Sequence, residues 1–454
     1  MLTNNQTTRM GAVTSSYPWL IVCCGMLFYC FNYFLRVSPS VMQPELTEAF
    51  HITATQFGTL AGLYYLAYTP MQVPAGMIYD KFGVRIVLCV ACLIAIAGLG
   101  IFITAHSYQI AGVGRFLIGL GCAFAYIGTL KLASIWLPAN RFATVAGITT
   151  AIGMVSGAMS QKYLVHIVER IGYQNALRVS LFAGLILVVV LFSLIRNRPK
   201  STDKNADLNS SIDIKQLFTS LYAIFTNRQM WLIGIIGSLL YLPSSVFLDL
   251  WGIPYLESVY QLTPDQAVAI SGNTFYGWII SGPIIGAISD KIRRRCLPLT
   301  LTGAIAAILL CAVFYMPNFN TNYLGMAFFL IGFCSGAHSL CFALGKESNP
   351  IQFSGTSVAV TNMLIMLGGL IFQPVVGKLL DLHTSGTINA EGLPLYSATD
   401  YTFALSVVPI GVAIGIVLSI FIKETHCELI DTTLDENNYS KSIDDLETSP
   451  EPAK

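Results

Sequence analysis

The chain has 454 residues, of which 54% are hydrophobic and 11% are charged, and its formal net charge is +1. A soluble domain has roughly 25% charged residues, so this composition excludes an ordinary soluble fold, and the near-neutral charge argues against a nucleic-acid partner. Long apolar runs recur along the chain, each near the ~20 residues that cross a bilayer as a helix, and they indicate a polytopic membrane protein.

Apolar runs of helical length predict twelve transmembrane spans. In chain order they cover residues 17–42, 55–79, 84–104, 108–136, 142–167, 174–195, 230–256, 267–289, 297–316, 322–345, 352–380 and 401–422. A long polar stretch after the sixth span divides the chain, so the expected fold is an all-α membrane protein of two six-helix bundles. The expected parts are a cytoplasmic N-terminal segment (1–16), a first bundle (17–195), a cytoplasmic linker (196–229), a second bundle (230–422) and a cytoplasmic polar tail (423–454).

Lysine and arginine residues predict how the spans are oriented. With both termini in the cytoplasm, the inner loops hold most of the basic residues and the outer side keeps few, such as Arg170. This bias favours a multi-pass protein of the inner (plasma) membrane with cytoplasmic N and C termini. The inner basic residues are Lys81, Arg85, Arg141, Arg196, Arg198, Lys200, Lys204, Lys291, Arg293, Arg294, Arg295 and Lys346.

The two halves share a sequence repeat at a constant offset of 210 residues. Parallel repeats of this kind are typical of transporters whose halves rock about a central site. The matched positions are Pro44, Leu46, Phe50, Thr53, Gln56, Gly62, Gly76, Asp80 and Lys81 in the first half, and Pro254, Leu256, Tyr260, Thr263, Gln266, Gly272, Gly286, Asp290 and Lys291 in the second.

The repeated loop carries a motif. Its first copy reads G-M-I-Y-D-K-F-G-V-R-I (Gly76–Ile86) and its second reads G-A-I-S-D-K-I-R-R-R (Gly286–Arg295), with Arg293 in place of the later glycine. Both resemble the G-x-x-x-D-[RK]-x-G-x-[RK] signature between helices two and three of the major facilitator superfamily. With its twelve predicted spans and central loop, the chain is identified as a member of that superfamily, and the resemblance implies its fold and a transport function.

The motif predicts a gate on the cytoplasmic side. An aspartate can cap a neighbouring helix or pair with a cytoplasmic arginine in one state and be released in the other. The alternative is a loop that only fixes topology. The residues expected to act in coupling or gating are Asp80, Lys81, Arg85, Arg115, Asp249, Asp290 and Lys291.

Charged side chains inside membrane spans are rare and usually face a cavity or a partner. Here they are Arg36 in the first span, Arg115 and Lys131 in the fourth and Asp249 in the seventh, and His338 lies in the tenth. Helical spacing groups them with other polar residues on shared faces. The residues expected to contact a substrate are Tyr29, Asn32, Arg36, Tyr126, Ser245, Asp249, Asn273, Tyr276, His338, Asn362 and Gln373.

Several of these residues also have a simpler interpretation. Arg36 could extend to the outer headgroups and Lys131 to the inner ones. Arg115 lies in G-R-F-L-I-G-L-G, which resembles the superfamily's R-x-x-x-G-x-G motif of helix 4, where the arginine is associated with coupling. It could equally brace neighbouring helices, and His338 could be an ordinary packing residue.

The first span carries a further resemblance. The stretch N-Y-F-L-R-V-S (Asn32–Ser38) resembles the N-Y-x-D-R-x-x-x-S pattern of the anion:cation symporter branch, which implies that Arg36 binds a substrate carboxylate. Leu35 stands where that branch has its proton-carrying aspartate, so its proton route does not carry over. The span and the tail are also similar to those of bacterial phagosomal amino-acid transporters.

The repeat offset places Asp249 at about the depth of Arg36, on the other half. Together the two side chains could hold the carboxylate and the ammonium of a zwitterion, which is the preferred interpretation, or they could pair directly as an outer gate.

The expected function is a secondary transporter that imports a small polar solute, an amino acid or a related carboxylate, by alternating access. Protons are the expected coupling ion, the lipid bilayer is the expected surrounding, and the chain is expected to act as a monomer. An efflux antiporter is an alternative, although G-I-T-T-A-I-G-M-V-S-G lacks the proline of the usual export motif in helix 5. A non-transporting sensor on the same fold is a second alternative.

No enzyme activity, cofactor or metal is expected, because the sequence holds no P-loop, nucleophile elbow or metal-ligand cluster. Cys89 and Cys92 form a C-x-x-C within a predicted membrane helix, and we interpret them as packing residues rather than a redox site.

Overall fold

The computed structural model describes residues 17–138, 141–197, 214–316, 320–384, 386–388 and 392–429. In these ranges the regular structure is helical, apart from one isolated β-bridge between Ile388 and Pro394. The predicted segment 1–16, part of the predicted linker (198–213) and most of the predicted tail (430–454) lie outside the described residues.

The described part of the first half contains six helical segments that correspond to the first six predicted spans. In chain order the helices are α1 (Tyr17–Val37), the short α2 (Gln43–Phe50), α3 (Ala54–Met71) continued by α4 (Ala75–Phe82), α5 (Val84–Thr104), α6 (Tyr108–Cys122) continued by α7 (Ala125–Trp136), α8 (Phe142–Ile171) and α9 (Tyr173–Leu194).

The described part of the second half repeats this arrangement, preceded by a helix within the predicted linker. The helices are α10 (Ile214–Thr226) in the linker, α11 (Arg228–Leu240) continued by a π-helix (Pro243–Trp251) and α12 (Gly252–Tyr260), α13 (Pro264–Ile292), α14 (Cys296–Tyr315), α15 (Thr321–Ser335) continued by a 3₁₀ turn (Gly336–Ser339) and α16 (Leu340–Glu347), α17 (Ser354–His383), and α18 (Ala398–Leu405) continued by α19 (Val407–Ser419).

Nine of the described segments are long and apolar enough to cross a membrane. The other three segments, α3 with α4, α8 and α13, each match a predicted span in position. The all-α architecture predicted from the sequence is therefore confirmed.

The sequence repeat corresponds to the same local structure in both halves. Capping boxes begin α3 and α13, in which the backbone N–H of Thr53 donates to the Gln56 side chain at 3.0 Å and that of Thr263 donates to Gln266 at 3.1 Å. A residue with left-handed backbone precedes each box by two positions. The repeat is therefore a helix-start signal that each half uses at the same place.

The two copies of the loop motif differ in backbone conformation. Gly83 has φ 80° and ψ 150°, a combination that is essentially restricted to glycine. Arg293, at the matching position, has φ 53° and ψ 39°, a left-handed conformation that other residues adopt at a cost of roughly 1–2 kcal/mol. The replacement of the second glycine is therefore accompanied by a different turn.

The helices α3 and α17 run antiparallel across the boundary between the halves. A Cβ atom on Gly58 would lie 2.4 Å from the Gln373 carbonyl oxygen, whereas Asn362, further back on α17, donates to Gln72 at 2.9 Å. We call the end where α4 finishes and α17 begins the basic face, and the end where α3 begins and α17 finishes the opposite face.

Both copies of the loop motif lie at the basic face. Asp80 is near the end of α4, and Asp290 is joined through Arg295 to Glu347, shortly before α17 begins. A duplication with parallel halves requires the two aspartates to share one face, and they do.

The halves contact each other closely at the opposite face. A Cβ on Gly377 would lie 2.1 Å from the Ala54 carbonyl oxygen, so the two backbones touch. Asp381 completes the contact by accepting hydrogen bonds from the backbone N–H groups of Ala54 (3.2 Å) and Thr55 (2.9 Å), at the N-terminus of α3. A carboxylate at a helix N-terminus is favourable, because it satisfies free N–H groups and opposes the helix dipole.

Gly377→Ala should open this contact. The added methyl group cannot fit against the Ala54 carbonyl, so the population should shift to a conformation in which the opposite face is parted. Spin labels at the exposed positions Glu48 and Thr399 should report a longer mean separation in the variant. Gly272→Ala is the matched control, because a Cβ at Gly272 meets nothing within 4 Å, and it should behave like the parent. Equal distance distributions in all three proteins would contradict this interpretation of the contact.

Candidate functional site

A cavity of about 700 Å³ lies between the two halves and extends from Arg36 to the basic face. At the basic face its walls stand apart, since Cβ atoms on Gly76, Gly147 and Gly355 would each meet nothing within 4 Å. The lining comes from the spans in which the sequence places charged or histidine side chains (α1, α7, Tyr241 directly after α11, and the His338 turn with α16), and also from α3, α4, α8, α13 and α17.

The cavity wall combines aromatic and neutral polar side chains with aliphatic, methionine and glycine residues. No aspartate or glutamate occurs among the described lining residues, and Arg36 is their one cationic side chain. The aromatic and histidine members are Tyr29, Tyr33, Tyr68, Tyr126, Tyr241, Trp278, His338 and Phe342; the main polar members are Gln72, Thr150, Ser339, Thr356 and Asn362.

Arg36 lies at the closed end of the cavity, away from the basic face, and forms an ion pair with Asp249 of the other half. Its Nε and Nη2 donate to Asp249 Oδ2 at 2.8 and 2.6 Å, and Nη2 also donates to the Tyr241 hydroxyl at 2.7 Å. The Tyr65 hydroxyl donates to the same Asp249 oxygen at 2.6 Å. Arg36 and Asp249 are 4% and 3% exposed, so little water screens the pair.

One nitrogen of the Arg36 guanidinium has no hydrogen-bond partner among the described residues. Nη1 makes no hydrogen bond with any described residue, whereas Nε and Nη2 are both occupied. The guanidinium carbon lies 5.3 Å from the Tyr33 ring centre and 5.1 Å from that of Tyr65, within the range of cation–π attraction. The side chain is thus held in place while it keeps a donor for a ligand in the cavity.

Arg115 holds the end of α1 that carries Arg36. Its Nη1 donates to the Leu35 carbonyl at 2.6 Å and its Nη2 to the Arg36 carbonyl at 2.9 Å. Carbonyl groups at a helix C-terminus lack partners within the helix, and a cation there also complements the helix dipole. Arg115 does not line the cavity, and in this structure its contacts hold the end of α1 in place.

His338 belongs to an aromatic cluster on the second half. Its ring lies 4.9 Å from Tyr241 and 4.5 Å from Trp278, centre to centre. The His338 Nδ1 lies 3.1 Å from the Ser335 carbonyl oxygen, to which it donates, so the ring orientation is fixed. The cluster connects the Arg36 partner Tyr241 to the middle of the cavity.

The sequence-predicted substrate residues fall into two groups. Five line the cavity, and six do not. Those that line it are Tyr29, Arg36, Tyr126, His338 and Asn362. Those that do not are Asn32, Ser245, Asp249, Asn273, Tyr276 and Gln373.

The buried residues outside the cavity serve contacts between helices. Asn32 accepts a hydrogen bond from the Tyr64 hydroxyl, next to the cavity wall. The Gln373 side chain donates to the Ser245 carbonyl at 2.7 Å, and the Gln373 backbone carbonyl accepts from the Trp251 indole at 3.1 Å, so that α17 is joined to the π-helix.

The helix α13 is rotated relative to the prediction. The Asn273 amide donates to the Ala269 carbonyl of its own helix at 3.0 Å, and Tyr276 is 38% exposed on the outside of the bundle. Trp278 enters the cavity instead. The signal that could have found it is a stripe of small polar residues at helical spacing, Ser271, Thr274 and Ser281, which are all buried on the same side.

The helix α3 supplies cavity residues that the sequence reasoning missed. Tyr65, Tyr68 and Gln72 follow one another at helical spacing, and the last two line the cavity. None of the three carries a charge, so the positions of charged residues within the spans do not identify them.

Asp249 pairs with Arg36 across the boundary between the halves, whereas the other predicted gating residues that make polar contacts make them within their own halves. Lys131 Nζ lies 2.5 Å from Asp80 Oδ1, so Lys131 pairs with the motif instead of extending to headgroups. Arg295 joins Asp290 (2.6 Å) to Glu347 (2.8 Å). Arg85 donates to the Phe192 carbonyl at 2.6 Å, and Lys81 and Lys291 are exposed.

The second motif copy also contacts the residues that follow α19. Arg293 pairs with Glu428, and Glu424 accepts hydrogen bonds from the backbone N–H groups of Arg295 (2.7 Å) and Cys296 (2.9 Å). Burial acts to raise the pKa of Glu424, but these backbone hydrogen bonds outweigh it and hold the pKa below its ordinary value.

Similar proteins of known sequence are transporters of about the same length. The chain is 25% identical over 390 residues to the uncharacterized transporter YybO of Bacillus subtilis, covering 79% of this chain and 86% of that one. It is 24% identical to the probable sulfoacetate transporter SauU of Cupriavidus necator (78% and 85% covered) and 22% identical to the probable galactarate/D-glucarate transporter GudP of Escherichia coli (83% and 89% covered).

A solved structure shares the fold. A bacterial homolog of the human lysosomal transporter Spinster, crystallised inward-facing and unoccupied, superposes with a TM-score of 0.71 at 13% identity, covering 97% of this chain and 100% of that one. The sequence model of the Major Facilitator Superfamily matches residues 22–383. The chain therefore belongs to the major facilitator superfamily, and it is a multi-pass membrane transporter of small molecules rather than an enzyme.

Proposed function

We propose that this protein imports a small organic anion with a carboxylate group, coupled to protons, by alternating access. The observation that carries the proposal is Arg36, the one cation of the described cavity lining, with Nη1 unoccupied at the closed end of the cavity. A guanidinium presents planar, paired donors that match a carboxylate. Sulfoacetate and galactarate/D-glucarate, the solutes named for two relatives, are organic anions, which supports the same class.

An amino acid fits the described site less well than a carboxylate without an amine. An ammonium group needs an acidic partner in a low-dielectric site. Asp249, the predicted partner, lies outside the cavity lining and is occupied by Arg36 and Tyr65. Of the two arrangements that the sequence left open, the contacts support direct pairing of Arg36 with Asp249, and we keep the carboxylate part of the expected substrate.

Competition for Arg36 offers a route to proton coupling. A substrate carboxylate that binds the unoccupied Nη1 and then also takes the Nη2 donor displaces Asp249, which is 3% exposed. A buried carboxylate without its cation is costly by several kcal/mol, and taking up a proton removes most of that cost. Binding of the anion and binding of a proton at Asp249 then favour each other, as a symporter requires.

The orientation follows from the distribution of positive charge. We propose that the basic face lies in the cytoplasm of the inner membrane, because Lys81, Arg85, Arg293 and Arg295 lie there. The cavity that reaches this face then belongs to the inward-open state, and the contact between Asp381 and the start of α3 belongs to the closed outer side. One chain contains the whole cavity, which supports function as a monomer.

Arg36→Lys should weaken binding of the transported anion. A lysine ammonium cannot reproduce the planar fork, and loss of a charge-assisted hydrogen bond of roughly 1.5–3 kcal/mol corresponds to about ten- to a hundred-fold in affinity. Calorimetry on purified protein with D-glucarate, cis,cis-muconate and sulfoacetate would measure it. Arg170→Lys, at an exposed helix end, is the control and should bind like the parent. Parent-like affinity of Arg36→Lys for every anion that the parent binds would overturn the proposed role.

Asp249→Asn should separate substrate movement from proton movement. The amide cannot take up a proton, so uptake driven by a pH gradient should fall to the level seen without a gradient. Exchange of external for internal anion at equal pH should persist, because Arg36 remains available. Proteoliposomes loaded with anion allow both measurements on one preparation. Full gradient-driven accumulation by Asp249→Asn would exclude this residue as the coupling site.

Asp80→Asn should slow turnover without weakening binding, if the motif acts as a gate in the other conformation. In this structure Asp80 forms an ion pair with Lys131, and the two side chains are 30% and 37% exposed. Because water screens the pair, it should contribute only about 0–1 kcal/mol to stability. Lys131→Gln removes the same pair and is therefore the control. We expect slow uptake in Asp80→Asn and near-parent uptake in Lys131→Gln. Equal loss in both would assign the effect to the ion pair seen here, and not to a gate.

A further inference from the structure

Gln72 is a buried side chain of the cavity wall with an unused donor. It is 3% exposed, and its Oε1 accepts a hydrogen bond from Asn362 across the boundary between the halves at 2.9 Å. The Gln72 Nε2 makes no hydrogen bond of normal geometry with the described residues, although the Gln72 side chain also interacts with the Tyr68 hydroxyl. Leaving a buried donor unpaired costs about 1–3 kcal/mol, so such a group requires an explanation.

A second unpaired donor lies between Gln72 and Arg36. The Trp278 Nε1 is buried without a partner in the part of the chain that the structure describes, and Trp278 also lines the cavity. These two are the only buried atoms of the described lining without hydrogen-bond partners, and both are N–H donors. A hydroxyl ligand would use donors and acceptors alike, whereas a carboxylate uses donors alone.

Helix geometry sets the distance between Gln72 and the Arg36 end. Tyr65, which donates to Asp249, precedes Gln72 by seven residues on the same face of α3. At 1.5 Å per residue the separation along the helix is about 10 Å. The 210-residue offset pairs Trp278 with Tyr68, which gives Trp278 an intermediate depth. The donors therefore follow one another along the cavity from its closed end toward the basic face.

We infer that Gln72, oriented by Asn362, binds a second carboxylate at the far end of an elongated dicarboxylate whose first carboxylate lies at Arg36. Trp278 donates to the same molecule between the two ends. Gln72 and Trp278 select for the second acidic group, since a monocarboxylate held at Arg36 presents no second charged group to them. This inference rests on the proposed function for the Arg36 end, and it adds the class of substrate.

Matched ligands separate the two ends of the site. D-Glucarate and D-gluconate share a six-carbon hydroxylated chain and one carboxylate, and they differ at the other end, where glucarate has a second carboxylate and gluconate a hydroxymethyl group. Adipate and hexanoate repeat the comparison without hydroxyl groups. We expect the parent protein to bind the dicarboxylate of each pair more tightly.

Gln72→Leu should reduce affinity for the dicarboxylates about tenfold and leave the monocarboxylates unchanged, because it removes only the donor at the far end. Gln72→Glu keeps the volume but adds a negative charge, so it should weaken the dicarboxylates further, again without effect on the monocarboxylates. Calorimetry on detergent-purified full-length protein gives the dissociation constants, and size-exclusion profiles establish that each variant is folded.

The outcomes distinguish this inference from the proposal on which it depends. Equal weakening of mono- and dicarboxylates by both Gln72 variants would make Gln72 a structural residue and overturn the inference. No effect of either variant, with anion binding still lost in Arg36→Lys, would also overturn it while the proposed function stands. If the parent binds none of the four anions, the inference fails, and the proposed function fails with it only if sulfoacetate and cis,cis-muconate are not bound either.

Discussion

The ion pair between Arg36 and Asp249 is the interaction on which the rest of the site depends. Both groups are almost fully buried, and removing one partner of such a pair typically costs about 3–5 kcal/mol because the other charge is left uncompensated. The halves therefore cannot part at this level unless the guanidinium finds another anion and the carboxylate another cation or a proton. A conformational change is thereby tied to the chemistry of whatever enters the cavity.

The boundary between the halves consists of two regions, one closely packed and one open. Toward the opposite face, Gly58 and Gly377 let α3 and α17 touch, and Asp381 caps the start of α3. Toward the basic face, glycine positions such as Gly355 have open space in front of them. Arg115 fixes the end of α1, and with it the position of Arg36, in this conformation.

The sequence was sufficient for features that depend on strong local signals. Thr53 with Gln56 and Thr263 with Gln266 mark the same helix start twice, and the depth of Asp249 relative to Arg36 followed from that repeat. The rotation of α13 could not be obtained in this way. In a membrane the outward face of a helix is as apolar as a packed face, so hydrophobic periodicity carries little information about which side faces a cavity. Trp278 and Gln72 were not predicted as cavity residues, because periodicity does not show which side of a helix faces the cavity and neither side chain carries a charge.

The unlike turns at Gly83 and Arg293 bear on how the two halves of a duplicated chain can diverge. A backbone at φ 80° and ψ 150° accepts essentially glycine alone. Any other residue at position 83 would therefore require a different loop conformation. The left-handed turn at residue 293 admits other side chains, and there the protein carries an arginine that pairs with Glu428 beyond the last helix. The first copy of the loop is therefore restricted to glycine by its backbone, whereas the second can carry an arginine and is thereby tied to the residues after the last helix.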